Sequence, residues 1–550
     1  MMQQRSSTLV DPRVLWFQRL LALCSVLAWW SLGSQILVLL GEHGILPFAP
    51  VLRRVQAETP LGFWQLPSVF RWGASDAWLS GGCWLGALCS LLALCGVATR
   101  WMFGLSLLMY CSYVQISGSF LAFQWDNLLL ESSFLVLFIP STTLKSPRTA
   151  ESGWWARASA LLSGSAFGIF LLRVLLFKLY FQSGLAKLES PAGDWLDGSA
   201  MRFYYETAPL PGPLAWYAHW LPAWFHELES WTTLAFELLL PFFCFGPRRL
   251  RYLALWVFTL FQIVNVLTAN YGFFSYLSVA LHVVLLDARD LRRWANRALR
   301  WLSVRLGAGV QGSRQWLRRF LRVVCLGGEL STSQPSSWGL GALARRVLAR
   351  SHITLRSLFA ARARLILSGA FTLVYVLLSL QQGLQQFVNR EIRIWGLYQL
   401  DERLSLFRLV NTYHLFAQIT TERIEPIFEV FADAHWQQLS FHYKPGPLDR
   451  ALPLVAPHQP RVDFLLWFYG LRFRAAPPAY VRGLALSLCK DPAAVQTLFV
   501  EPLPSEAERV RVSFWQYHFS DRATREQTNA LWTRQELGNS RAFECTSARP

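Results

Sequence analysis

The sequence predicts a polytopic α-helical membrane protein of about nine transmembrane helices, followed by a C-terminal soluble β-rich domain of α+β, sandwich-like type. Three observations predict it. Charged residues make up 16% of the 550, where a soluble globular chain carries about 25%. Apolar stretches of crossing length recur through residues 1–390. Beyond residue 390 the composition changes, with 18 basic and 17 acidic groups among the last 160 residues, as in a water-facing domain.

A bilayer core requires about 20 apolar residues per helix. Stretches 20–40 and 77–99 meet this without a charge. Stretch 101–140 is read as a hairpin turning near Gly118, with Asp126 and Glu131 on its second arm. Stretches 161–181 and 231–246 add two helices. Stretch 252–286 is too long for one crossing and contains the turn signal Asn270, Tyr271 and Gly272, so it is read as two short helices. Stretch 365–389 is the ninth.

Charge placement tests the path, because basic loops stay cytoplasmic. With Arg5, Arg13 and Arg19 inside, nine crossings bring Arg100, Lys145, Arg148, Arg157 and the Arg248/Arg249/Arg251 cluster to the cytoplasm. They also bring residues 287–364 there, with 16 Arg against three acids, which is +13 of the net +18. Loop 183–230 falls outside with six carboxylates against Lys187 and Arg202. The expected organisation is therefore a bundle at 1–286 with exoplasmic loops 41–76 and 183–230, a cytoplasmic arginine loop at 287–364, a last helix at 365–390, and an exoplasmic domain at 391–550. The first apolar run is too long for a cleaved signal and ends at no clear small-residue site, so it is read as a retained crossing.

In the arginine loop, Leu291, Trp294, Ala298, Trp301 and Leu302 recur at helical spacing among arginines. That suits a helix on anionic headgroups. No nucleic-acid module accompanies the charge, and nucleic acid is not an expected partner. A GxGxxA match at Gly339 and Gly341 follows a Ser/Pro-rich linker instead of a strand and carries no weight.

In the last domain Leu439, Phe441 and Tyr443, and again Val510, Val512 and Phe514, alternate as strands do, while 480–490 reads as a helix. Cys489 and Cys545 both fall there, and their pairing is left open. Cys83, Cys89 and Cys95 are each turned about 240° from the last on a helix, so they share no site. No metal centre is expected. His226, Glu227 and Ser230 lie in HELES, which lacks the second His of a zinc-protease helix, and there is no GxSxG elbow or Walker loop.

Charges inside spans are costly and are paired or functional. Asp126 and Glu131 lie in one span, Arg173 and Lys178 in the next, and Glu237 is a third buried acid. The plain reading is an ion-pair network that fixes helix register. The sharper one is a polar cavity, open to the outside, in which Lys178 or Asp126 does chemistry or grips a substrate. Glu237 either pairs with the same bases or stays protonated. The outer loop is rich in aromatics and holds Pro209, Pro211 and Pro213. It reads either as a headgroup belt or as a rigid platform for a client. His43 reads as a plain surface histidine.

The segments GEHGILPFAP, FQWDNLLLES, FKLYFQSGLAKL, YYETAPLPGPLAWYAHWLP, LTANYGFF, FHYKPG and APHQPRVDFLLWF occur in that order. Together they resemble the lipase maturation factor family over nearly the whole chain outside the arginine loop. The resemblance implies a multipass membrane protein that helps dimeric lipases fold and assemble in the exoplasmic compartment. It brings no catalytic residue. Its motifs map to Trp125, Asp126, Glu131, Lys178, Gly184, Lys187, Tyr205, Glu206, Trp216, His219 and Asn270. The chain departs from animal members in having no NxS/T acceptor and no evident C-terminal retention signal. Its 47 Arg against 5 Lys fit a GC-rich bacterial gene, hence an inner membrane, with the endoplasmic reticulum as the eukaryotic equivalent.

Two functions are carried forward. The first is a noncatalytic assembly factor whose partners are the bilayer and exported clients, lipases among them, held by Tyr205, Glu206, Trp216, His219 and Trp220. The alternative is an integral-membrane enzyme broadly similar in architecture to vitamin K-dependent carboxylase-like proteins. In it Lys178 or Lys187 would be the base and His219 a partner, with Asp126 a further catalytic candidate and a lipid-soluble cofactor between the helices. The sequence specifies no cofactor.

Overall fold

The computed structural model describes residues 11–58, 62, 64–139, 165–305, 353–394 and 396–545. The glycine match at Gly339 and Gly341, Cys325 and most of the arginine loop lie outside these residues. Helix α1 (Pro12–Gly33) starts on Asp11, whose carboxylate accepts from the Arg13 backbone N–H, with Pro12 at the first helical position. An amphipathic helix α2 (Phe48–Glu58) precedes α3 (Asp76–Cys95). Helices α4 (Thr99–Ile116) and α5 (Gln124–Phe138) form the expected hairpin, with Gly118 at φ +52° in the turn. Then come α6 (Ser165–Leu188), the short α7 (Ala200–Thr207) and α8 (Ala215–His219), α9 (Ala223–Phe243), α10 (Arg248–Thr268) and α11 (Phe274–His282). The break between α10 and α11 falls at Asn270–Gly272, as the turn signal predicts. An arginine-rich helix α12 (Ala288–Arg305), the long α13 (Ile353–Phe387) and α14 (Leu397–Ser405) complete the helical part.

Five of these segments are long and apolar enough to cross a bilayer: Pro12–Gly33, Asp76–Cys95, Ala166–Leu188, Arg248–Thr268 and Ile366–Phe387. The 15 residues of α5 would rise only about 22 Å as a helix. The bundle core is aromatic and close-packed. Trp29 stands edge-on to Tyr110 and Tyr113, and its indole donates to Ser106.

The C-terminal part holds one antiparallel sheet, formed by β1 (Arg423–Ala432), β2 (His435–Leu439), β3 (Arg509–Phe519), β4 (Trp532–Asn539) and β5 (Phe543–Glu544). The order is β2-β1-β3-β4, with β5 beside β3, and Phe428 faces Val512 and Leu439 in register. The sandwich-like expectation is corrected here. The second layer is helical, made by α15 (Arg461–Gly470) and α16 (Ala479–Lys490), whose Leu466, Val481 and Leu484 are buried. Two apolar helices saturate the inner face of the sheet, so no second sheet is needed to bury it. The strand expected at 439–443 ends at Leu439, and Phe441 instead bridges to Phe499.

One hydrophobic core runs from Val14 through the bundle to Cys545. The C-terminal region is not a detached lobe. Its high charge concealed this, because Arg423, Glu425, Glu429, Lys444, Arg461 and Asp463 are all buried. Cys489 and Cys545 are disulfide-bonded, tying α16 to the last strand.

Candidate functional site: a buried ionic seam

All but Arg173 of the charged residues singled out in the spans sit where the bundle meets the C-terminal region. Asp126, in the first turn of α5, is fully buried and receives two bonds from Arg461, at 2.7 and 2.9 Å, and one from Tyr110 at 2.6 Å. Arg461 also donates to the carbonyl of Phe120, and its backbone N–H donates to Gln35 of the helical part.

Glu131 lies five residues on, about 140° around the helix, and therefore faces different partners. It accepts from Lys178 and Tyr375 at 2.7 Å, from Tyr413 at 2.8 Å and from Asn411 at 3.2 Å. Lys178 donates as well to Ser379. A carboxylate with four donors and an ammonium with two acceptors repay much of the cost of burial.

Lys187, nine residues after Lys178 and on the other side of α6, pairs with Glu237 at 2.6 Å and donates to the carbonyl of Leu415 at 2.9 Å. Its ammonium lies 4.9 Å from the ring of Trp195. Helices α6 and α9 approach closely here. A Cβ on Gly184 would stand 3.1 Å from the Glu237 backbone.

The pairing expected among Asp126, Glu131, Arg173 and Lys178 is thus half realised. Glu131 and Lys178 pair. Asp126 takes Arg461, Glu237 takes Lys187, and Arg173 donates to the carbonyl of Val284. Arg173 belongs to the opposite end of α6, near a cluster in which Arg248 and Arg251 hold Asp287 and Asp290. The cavity reading for Lys178 and Asp126 does not match their surroundings. Both are buried and bonded to protein groups.

The outer loop is turned inward as well. Glu206 accepts from the backbone N–H of Phe519 at 2.8 Å and lies 3.0 Å from the His518 ring, while His219 is 3.7 Å away. Burial lowers the His219 pKa, against the pull of Glu206. Trp216 and Trp220 both donate to the carbonyl of Ser520, and Tyr205 donates to Glu229. Arg423 donates to the carbonyls of Glu206 and Ala208, and Trp467 to that of Thr207. Tyr205, Glu206 and Trp216 are buried against the chain's own loop and sheet, which corrects their expected place on a free client platform. Of that set Trp220 is the one broadly exposed, at 40%. Asn270 bridges both parts. Its amide donates to Pro453 and its oxygen accepts from Val455 and Ala456. Trp125 is buried and packs on Phe123 and Phe464. His43 is exposed and sits beside Asp491.

Sequence reasoning missed Tyr110, Tyr375, Asn411, Tyr413, Arg423 and Arg461. A signal existed for two of them. Arg461 opens the apolar run RVDFLLWFYG, and Tyr375 is the one tyrosine in the uncharged stretch 365–389. Chemically, the seam pairs Asp126, Glu131 and Glu237 each with a cation and holds the C-terminal region against the bundle.

Comparison with known proteins gives a consistent result. A family model described as the lipase maturation factor transmembrane domain matches residues 13–293, and one described as the lipase maturation factor C-terminal domain matches residues 409–542. The chain is 32% identical to Lipase maturation factor 2 of Homo sapiens over 512 residues, covering 84% of this chain and 72% of that protein. It is 31% identical to the Mus musculus counterpart, covering 92% and 80%. It is 28% identical to Lipase maturation factor 1 of Mus musculus, covering 77% and 66%. No solved structure matches the chain.

Proposed function

Because the chain belongs to the lipase maturation factor family, we propose that it is a membrane-embedded maturation factor assisting the folding or assembly of exported lipases or other secreted clients. The observation that carries this reading is the seam itself. The ionisable groups of the bundle's outer end are spent on holding a sheet domain rigidly at the membrane, which is the arrangement of a scaffold. The enzyme alternative draws no comparable support, since Lys178 and Lys187 are each ion-paired and hydrogen-bonded.

We further infer nine crossings, with the N-terminus in the cytoplasm and the C-terminal domain exoplasmic, in a bacterial inner membrane or the endoplasmic reticulum. The elements that touch the C-terminal domain support a common side. They are the end of α1 at Ser31, the α4–α5 turn at Phe120, the end of α6 at Lys187 and the α10–α11 turn at Asn270. The arginine cluster at the other end of α6 supports the opposite side as cytoplasmic. A disulfide in the C-terminal domain supports an oxidising compartment.

Deleting the gene and assaying secreted lipase activity tests the proposal. Activity falls while lipase transcripts stay constant; unchanged activity removes the proposal. Protease added to intact spheroplasts tests the sidedness, and a spared C-terminal domain would reverse it.

A further inference from the structure

The sheet has two faces, and the described residues cover only part of the outer one. Ala215 and Trp216 of the outer loop pack with Ile427, Tyr517, Phe519 and Trp532. Beyond them the face carries Trp436, Trp515, Gln438, Arg509, Arg511 and Arg534, all partly exposed. At the border between covered and open parts lies a cleft of about 150 Å³. It is lined by Glu425, Ile427 and Gln438, by Ser440 and Phe441, by the 444–447 turn and by Arg534. Since a water takes about 30 Å³, the space admits one carboxylate-sized side chain.

The lining charges identify what fits. Lys444 is buried and lies 2.8 Å from Glu425, which Arg423 contacts from its other oxygen at 2.5 Å. Arg534 lies over Trp515, its Cζ 4.2 Å from the ring centroid, and donates to Tyr517 and Gln438, which fixes the direction of its fork. Two cations, Lys444 and Arg534, thus line the cleft with one carboxylate, Glu425, which Arg423 contacts from outside the lining. Asp463, behind Lys444, accepts from the backbone N–H of Tyr443, and burial raises its pKa to about 6. Farther out, Arg511 and Arg509 lie on the rings of Trp436 and Phe431, at 4.1 and 4.2 Å. Arg511 is held by Glu429, and the Arg509 guanidinium also lies 5.6 Å from the Trp436 ring. Glu536 and Glu544 stand at the margins, opposite Trp515 and Arg509 in register. Shielding of aromatic rings by guanidinium groups accounts for the stacking. It does not account for a cleft lined by two cations against one carboxylate.

We propose that this cleft is a carboxylate-binding subsite, in which Lys444 and Arg534 receive an acidic side chain from an extended segment of a client protein. The inference deepens the maturation-factor reading by naming where a client is held. A charge-assisted fork reads a carboxylate in two dimensions, so the amide analogue is discriminated against.

The test uses the full-length protein in detergent and a fluorescein-labelled peptide of alternating Ser and Glu, read by anisotropy. The acidic peptide binds, its Gln analogue binds about tenfold more weakly, and Arg534→Gln removes that difference. Lys444→Gln, which disturbs a buried pair, is judged only where its melting curve matches wild type, and Arg534→Gln decides the outcome otherwise. Equal binding of Glu and Gln peptides overturns the proposal. So does an Arg534→Gln variant with unchanged discrimination, or binding of phosphatidylglycerol vesicles with none of the peptide. Loss of the peptide result alongside a deletion strain that still loses lipase activity overturns the subsite and leaves the maturation reading standing.

Discussion

Arg461 and Asp126 are 335 residues apart, yet they form a two-pronged ion pair in which neither side chain is exposed. The pair joins the first turn of α15 to the first turn of α5. It makes the attachment of the sheet domain to the bundle a matter of buried charge as well as apolar contact.

Breaking one partner of such a pair strands the other. Arg461→Ala is expected to destabilise the protein by roughly 3–5 kcal/mol, read as a lower melting temperature in detergent and as faster proteolysis of the C-terminal domain. The double variant Arg461→Met, Asp126→Leu should recover most of that loss. A single variant as stable as wild type would show that the pair holds nothing.

Lys178→Met separates scaffold from enzyme. In a scaffold, the variant loses abundance and thermal stability because Glu131 keeps a buried charge with one cation fewer. Adding Glu131→Gln restores part of it. A Lys178→Met protein that is abundant, stable and inactive would favour chemistry at this lysine.

One partly buried and one buried group of the C-terminal domain, His458 and Asp463, oppose each other in acid. Burial, assisted by the Arg461 charge, lowers the His458 pKa from 6.5 to about 4, so the unfolded chain takes the proton first and stability falls between pH 6.5 and 4. Burial raises Asp463 from 3.8 to about 6, so the folded chain takes the proton first and stability rises as pH drops from 6 to 3.8. His458→Asn should therefore gain melting temperature relative to wild type on going from pH 6.5 to 4, and Asp463→Asn should lose it. Melting curves that stay parallel across that window would contradict both assignments.

The Cys489–Cys545 bond closes a loop across a separation of 56 residues. Its removal by the Cys489→Ser, Cys545→Ser double variant is expected to cost about 4 kcal/mol by the loop-entropy estimate. Reductant should lower the melting temperature of wild type and leave that of the double variant unchanged. A wild-type curve indifferent to reductant would contradict this.

Much of the path was legible in the sequence because it depends on local properties. Crossing-length apolar runs, the turns at Gly118 and at Asn270–Gly272, the helix at 480–490 and the alternation of Val510, Val512 and Phe514 each follow from the period and chemistry of neighbouring residues.

The sequence by itself determined which charges had to be satisfied: Asp126, Glu131, Arg173, Lys178 and Glu237, all placed in apolar stretches. Only the tertiary structure decided by whom. Helical spacing can nominate a neighbour on the next span, as it did for Glu131 and Lys178. It cannot see Arg461, Tyr413 or Leu415, which reach the seam only when the sheet domain docks, because the partner of a buried charge is chosen by packing between segments hundreds of residues apart.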